Sequence, residues 1–111
     1  MSGTLNGMIA NNSIGPFQYK SHIRVFAYLG TLKASTDPAA QRQFTDLFDF
    51  LTQLTTQTIP CRVLSQTATG IIATHYVHIH NHVFKIVEQN GLFGKSYYID
   101  NIKLDGGNWQ P

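Results

Sequence analysis

Four histidines crowd a short stretch of this chain: His75, His78, His80 and His82. Imidazole nitrogens bind zinc, copper or nickel. In one continuous strand, His78, His80 and His82 would share a face, because side chains alternate with a period of two. A metal site needs more than that. No carboxylate lies between Asp49 and Glu88, and Cys61 is the single cysteine, which excludes a multi-thiolate zinc centre. Same-face residues two apart also need strong curvature or a turn to aim at one ion. The histidines therefore read as the solvated or protein-covered face of a strand, able to charge together and repel in mild acid. A metal-binding protein built on this strand stays open as an alternative, but no metal ligand set and no cofactor is expected.

The remaining reactive groups point the same way. Cys61 has no Gly-rich elbow, no helix start directly after it and no nearby orienting Asn or Asp, so it reads as a small core residue rather than a nucleophile. The six carboxylates, Asp37, Asp46, Asp49, Glu88, Asp100 and Asp105, are dispersed. Asp46 and Asp49 share a helix surface in solvent, which is not an acid/base pair. The Gly-Lys-Ser of Gly94-Lys95-Ser96 lacks the spacing of a phosphate loop and joins two strands instead of opening a helix. Arg24, Arg62, Lys85 and Lys103 have Phe26, Tyr28, Phe84, Tyr97 and Tyr98 nearby, a pattern that can stack bases and meet phosphates. Its density is ordinary for a β domain, and no sequence-specific nucleic-acid partner is expected. The chain carries no enzyme signature.

The elements that must position these residues follow from periodicity. Residues 22–29 alternate, with Ile23, Val25, Ala27 and Leu29 against Arg24, Phe26 and Tyr28, which predicts a strand ended by Gly30. Asp37-Pro38 opens a helix, Asp37 capping it and Pro38 suiting its first turn. Phe44, Leu47, Phe48, Leu51 and Leu54, widened by Phe50, form its core stripe, opposite Arg42, Asp46, Asp49 and Gln53. It ends in Thr55-Thr56-Gln57-Thr58 and Ile59-Pro60. Beyond Cys61 the chain reads as β: a strand 62–66, a turn Thr67-Ala68-Thr69-Gly70, a strand from Ile71 to about His80, and Val83–Glu88. Gln89-Asn90-Gly91 signals a hairpin, and a last strand spans Ser96–Leu104. Asn81 reads equally as a tight turn or as part of a longer strand. The fold class is α+β, a small antiparallel sheet or barrel packed by one helix.

At 111 residues there is room for one domain. We divide it into an irregular, extended N-terminal arm (1–21), an α+β body (22–105) and a short C-terminal tail (106–111). No apolar run reaches the roughly 20 residues of a membrane span, and the N-terminus lacks the basic start and apolar block of a secretory leader. Charged residues make up 13%, about half the roughly 25% usual for soluble domains. The balance of 8 basic and 6 acidic residues is too mild to mark a nucleic-acid binder. A surface short of Lys and Glu but carrying aromatics has the composition of an interface. The arm adds Leu5, Met8, Ile9, Ile14, Phe17 and Tyr19, which need a surface to lie on, either their own domain or a neighbouring copy. With Phe26, Tyr28 and Trp109 they form the expected inter-subunit contact, the arm and tail acting as straps between copies.

The order of pieces resembles the small head–tail joining proteins of tailed bacteriophages, the adaptor and stopper subunits of the neck. The resemblance runs through an irregular arm, Ile23-Arg24-Val25, a helix, Cys61-Arg62-Val63-Leu64, Thr74-His75-Tyr76-Val77-His78-Ile79 and a terminal Tyr97-Tyr98-Ile99-Asp100-Asn101-Ile102, chiefly residues 60–104. It departs from the family in having histidines where an arginine-rich strand is usual, and in its longer helix. It implies a ring-forming, non-enzymatic virion component made in the bacterial host cytoplasm. Its partners would be copies of itself and neighbouring virion proteins. A small phage-encoded inhibitor or interaction module is the alternative.

Overall fold

Asp37 starts the helix that the sequence predicts. The computed structural model describes residues 9–10, 13–15, 19–92 and 94–111 of the chain. In it Asp37 is extended (φ −72°, ψ 122°), and its carboxylate accepts the Ala39 N–H at 3.0 Å. Pro38 follows at the first helical position, where no N–H is needed. This helix, α2, spans Pro38–Gln53 and buries Leu47, Phe50 and Leu51, with Leu54 just beyond its end. Phe44 is half-buried, and Phe48, expected in the core stripe, is 53% exposed. The core-facing row is therefore shifted towards Phe50, whose ring lies 5.1 Å from that of Phe84 on the sheet.

Residues 22–29 are not a strand. They belong to a first helix, α1, at Ile23–Ala34, so two helices pack the sheet where one was expected. The buried residues Val25, Leu29 and Leu32 are spaced four and three apart, which is a helical stripe. His22 caps the helix: its Nδ1 accepts the Arg24 N–H at 3.2 Å and Arg24 Nε–H at 3.1 Å. Gly30 lies inside the helix rather than ending it.

Both helices cover one face of a five-stranded sheet. Strands β1 (Ile9–Ala10), β2 (Ser13–Ile14) and β4 (Ile59–Pro60) form a small antiparallel sheet beside it. The main sheet has the order β3 (Tyr19–Ser21), β8 (Gly94–Leu104), β7 (His82–Gly91), β6 (Ile72–Ile79), β5 (Arg62–Thr69). β3 runs parallel to β8, and the other pairs are antiparallel. The fold class is α+β.

Turn chemistry fixes the register. His80 and Asn81 both have positive φ (51° and 63°) and lie between the paired residues Ile79 and His82. That is the two-residue hairpin turn favoured by the right-handed twist of strands. The open choice at Asn81 thus resolves to a turn, which separates His82 from His78. Thr67, Ala68 and Thr69, expected in a turn, continue β5, and the reversal falls at Gly70-Ile71. Gly70 has φ 63° and Ile71 does not share the positive sign, as a glycine-first hairpin turn requires. The next reversal falls between the paired Gly91 and Gly94, two residues later than expected. Val77, Ile79, Phe84, Ile86, Ile99 and Ile102 from the sheet meet Val25, Leu29, Leu47 and Phe50 from the helices and Leu54 at the end of α2. Ile14 is fully buried in the same core. Gly15 beside it has φ 95°, and a Cβ there would sit 2.6 Å from the Gln57 carbonyl oxygen.

Candidate functional site

The side of the helix layer turned away from the sheet is aromatic. Phe26 on α1 is 62% exposed and Ile23 is 75% exposed, with Phe48 on α2 close behind. Phe26, Leu29, Lys33, Phe44, Phe48 and Leu51 line a groove of about 230 Å³ between the helices. The Phe44 and Phe48 rings stack at 5.7 Å, and Lys33 Nζ lies 5.9 Å from the Phe44 centroid. Gly30 opens the groove on the α1 side. A Cβ at Gly30 would meet nothing within 4 Å among the described residues, so packing against them does not require glycine there. Glycine in a helix interior nevertheless costs about 1 kcal/mol relative to alanine.

On the opposite face of the sheet the tail is latched. The Asn101 amide donates to the Gln110 carbonyl and accepts the Gln110 N–H, both at 3.1 Å. Trp109 then lies 5.9 Å from the Tyr76 ring, with Lys103 Nζ 4.7 Å from its own centroid. An open groove of about 390 Å³ runs between this tail and β5, lined by Leu64, Ser65, Tyr76, Val83 and Trp109 among others. Asp105 at its rim pairs with His78 at 3.3 Å.

The histidines are divided between these layers. His75 is buried on the helix side of β6, its Nε2 3.0 Å from Glu88 Oε1 in a fully buried pair. His82 Nδ1 is 2.7 Å from the His80 carbonyl and must donate to it, which leaves Nε2 to accept from the Tyr28 hydroxyl at 2.6 Å. Burial pushes the His82 imidazolium below the ordinary histidine range, reinforced by the neighbouring His80 and His78. His80, on the turn, meets the Phe50 ring edge-on. The shared face expected of His78, His80 and His82 is broken by the turn. Among the described residues no three metal-ligating side chains gather.

The other candidates are equally scattered. Burial pushes the half-buried Cys61 thiol up to about 11, so the thiolate that a nucleophile needs is scarce at neutral pH. Tyr97 is pushed up to about 12 by burial and then by Glu88. Arg24 and Lys85 both lean on Asp100, at 3.5 and 3.4 Å.

Of the expected contact residues, Leu5, Met8 and Phe17 lie outside the described residues. Ile9 and Tyr19 are placed by their backbones on β1 and β3, opposite Ile14 and Tyr97. Ile14 enters the chain's own core, Tyr28 bonds His82, and Trp109 rests on its own sheet. Phe26 faces outward. Sequence reasoning missed its companions Ile23, Gly30 and Phe48, for which helical spacing across Phe26 and Gly30 was the available signal. Compared with known protein families, curated proteins and solved structures, the chain matches none.

Proposed function

We propose that this chain is a non-enzymatic assembly subunit that docks copies of itself through the outer face of its helix layer. The observation that carries the reading is the exposed Ile23–Phe26–Phe48 surface with Gly30 between. Apolar side chains of this size are worth roughly 1.5–3 kcal/mol each when removed from water. A glycine that packing against the described residues does not require lets a neighbouring backbone approach α1 closely. The sparse charge of the surface adds support, since interface cores are depleted in Lys, Glu and Asp. The resemblance to phage head–tail joining proteins favours a ring of such subunits in the virion neck, contacting neighbouring virion proteins. The occupant of the groove is the adjacent copy in that ring.

Sedimentation velocity of the full chain across micromolar to near-millimolar concentration tests this, with negative-stain imaging for rings. The expected result is a discrete multimer that Phe26→Asp and Phe48→Asp reduce to monomer while circular dichroism stays native. A wild-type chain that remains monomeric throughout overturns the reading.

A further inference from the structure

The main sheet ends unevenly. Its β8 side is covered by β3, whereas β5 at the other end pairs with β6 alone among the described residues. Exposed edges are usually blunted by charge, proline or a very short strand. β5 is eight residues long, and beyond the irregularity between Val63 and Ser65 it reads Ser65-Gln66-Thr67-Ala68-Thr69, with no charge and no proline.

The hairpin fixes which backbone groups point outward. Thr69 and Ile72 flank the two-residue turn and exchange hydrogen bonds across it. Antiparallel ladders alternate bonded and non-bonded pairs. Thr67 opposite Thr74 and Ser65 opposite Tyr76 are therefore also bonded to β6. The N–H and C=O groups of Gln66 and Ala68 point away from the sheet. We propose that this edge pairs with β5 of a second copy, antiparallel about a two-fold axis at Thr67.

Self-complementarity identifies the occupant. With the axis at Thr67, Gln66 of each copy faces Ala68 of the other, so all four outward N–H groups find carbonyls. The two Thr67 side chains meet at the axis, a favourable cross-strand pair. Arg62, the one charged residue of β5, falls beyond the shared ladder and meets no like charge. The same register sets the exposed Leu64 of one copy opposite Gly70 of the other, beside the exposed Ile71 and Ile72 of that hairpin. Such a contact is isologous and closes a dimer with one continuous ten-stranded sheet. It rests on the assembly reading only in requiring that copies associate.

Two variants of the full chain test it. Across a non-hydrogen-bonded pair the Cα atoms lie about 4.5 Å apart, within disulfide range. In a Cys61→Ala background, Thr67→Cys should therefore give a covalent dimer on mild oxidation, and Gln53→Cys, exposed but outside both contacts, should not. Ala68→Pro removes an outward N–H and leaves the β6 ladder whole, so it should weaken association at least tenfold with native circular dichroism. Absence of the Thr67→Cys dimer in a chain that still assembles overturns strand pairing alone. Loss of assembly with Ala68→Pro but not with Phe26→Asp keeps strand pairing and overturns the helix-layer reading.

Discussion

His82 makes two bonds that suit a neutral imidazole, donating from Nδ1 and accepting at Nε2. A second proton would remove the acceptor that Tyr28 uses. Its pKa is lowered in the fold, so below the ordinary value of 6.5 the unfolded chain binds more protons than the folded one. Stability from this group is fully present above about pH 7 and declines as pH falls through the unfolded value. Urea unfolding between about pH 7.5 and 5 should show this slope, and His82→Gln should flatten it. Tyr28→Phe leaves buried Nε2 without its donor and should cost about 1–3 kcal/mol at neutral pH. The buried His75–Glu88 pair makes a sharper case. Removing one partner strands the other, so Glu88→Ala should cost roughly 3–5 kcal/mol by denaturant melts. The double variant His75→Leu/Glu88→Leu should recover much of that loss.

At the level of elements, legibility depended on whether a local device excluded the alternative. Asp37-Pro38 can only start something, and α2 begins where these residues place it. Nothing comparable marks α1. Val25 and Leu29 are four apart, a spacing that satisfies both a two-residue and a 3.6-residue period. The alternation of Ile23, Val25, Ala27 and Leu29 with Arg24, Phe26 and Tyr28 satisfies the strand period, and Gly30 suits a strand's end. Packing of Val25, Leu29 and Leu32 against the core decided otherwise. The divided histidines were illegible for a related reason. Only the positive φ of His80 and Asn81 moves His82 to a returning strand, and Asn81 alone hinted at it. Asn tolerates that conformation better than most residues, so Asn81→Ala should lower stability by about 1 kcal/mol while Asn81→Gly should not. Gly15 is stricter. Gly15→Ala meets both the positive φ and the Gln57 carbonyl, and should lower the melting temperature more than Asn81→Ala does.

The described residues span 44 × 26 × 25 Å, an elongated body with the aromatic helix layer on one side and the β5 edge at one end of its sheet. These surfaces differ in kind. A helix-layer contact between adjacent copies is heterologous when it closes a ring, whereas the β5 contact is two-fold, and the two coexist in dihedral symmetry. Neither draws on opposite charges. Arg24 and Lys85 already pair with Asp100 within the chain, and Lys33, which lines the helix groove, faces the Phe44 ring. Salt screens charge pairs at about 8–10 Å near physiological strength but leaves apolar burial and strand hydrogen bonds nearly untouched. Assembly should therefore persist when sodium chloride is raised tenfold, and sulfate, which is excluded from apolar surface, should strengthen it. An association held by the +2 net charge meeting a polyanion would behave oppositely, weakening steeply with salt. Sedimentation across a salt series thus separates protein-on-protein assembly from electrostatic capture without any substitution.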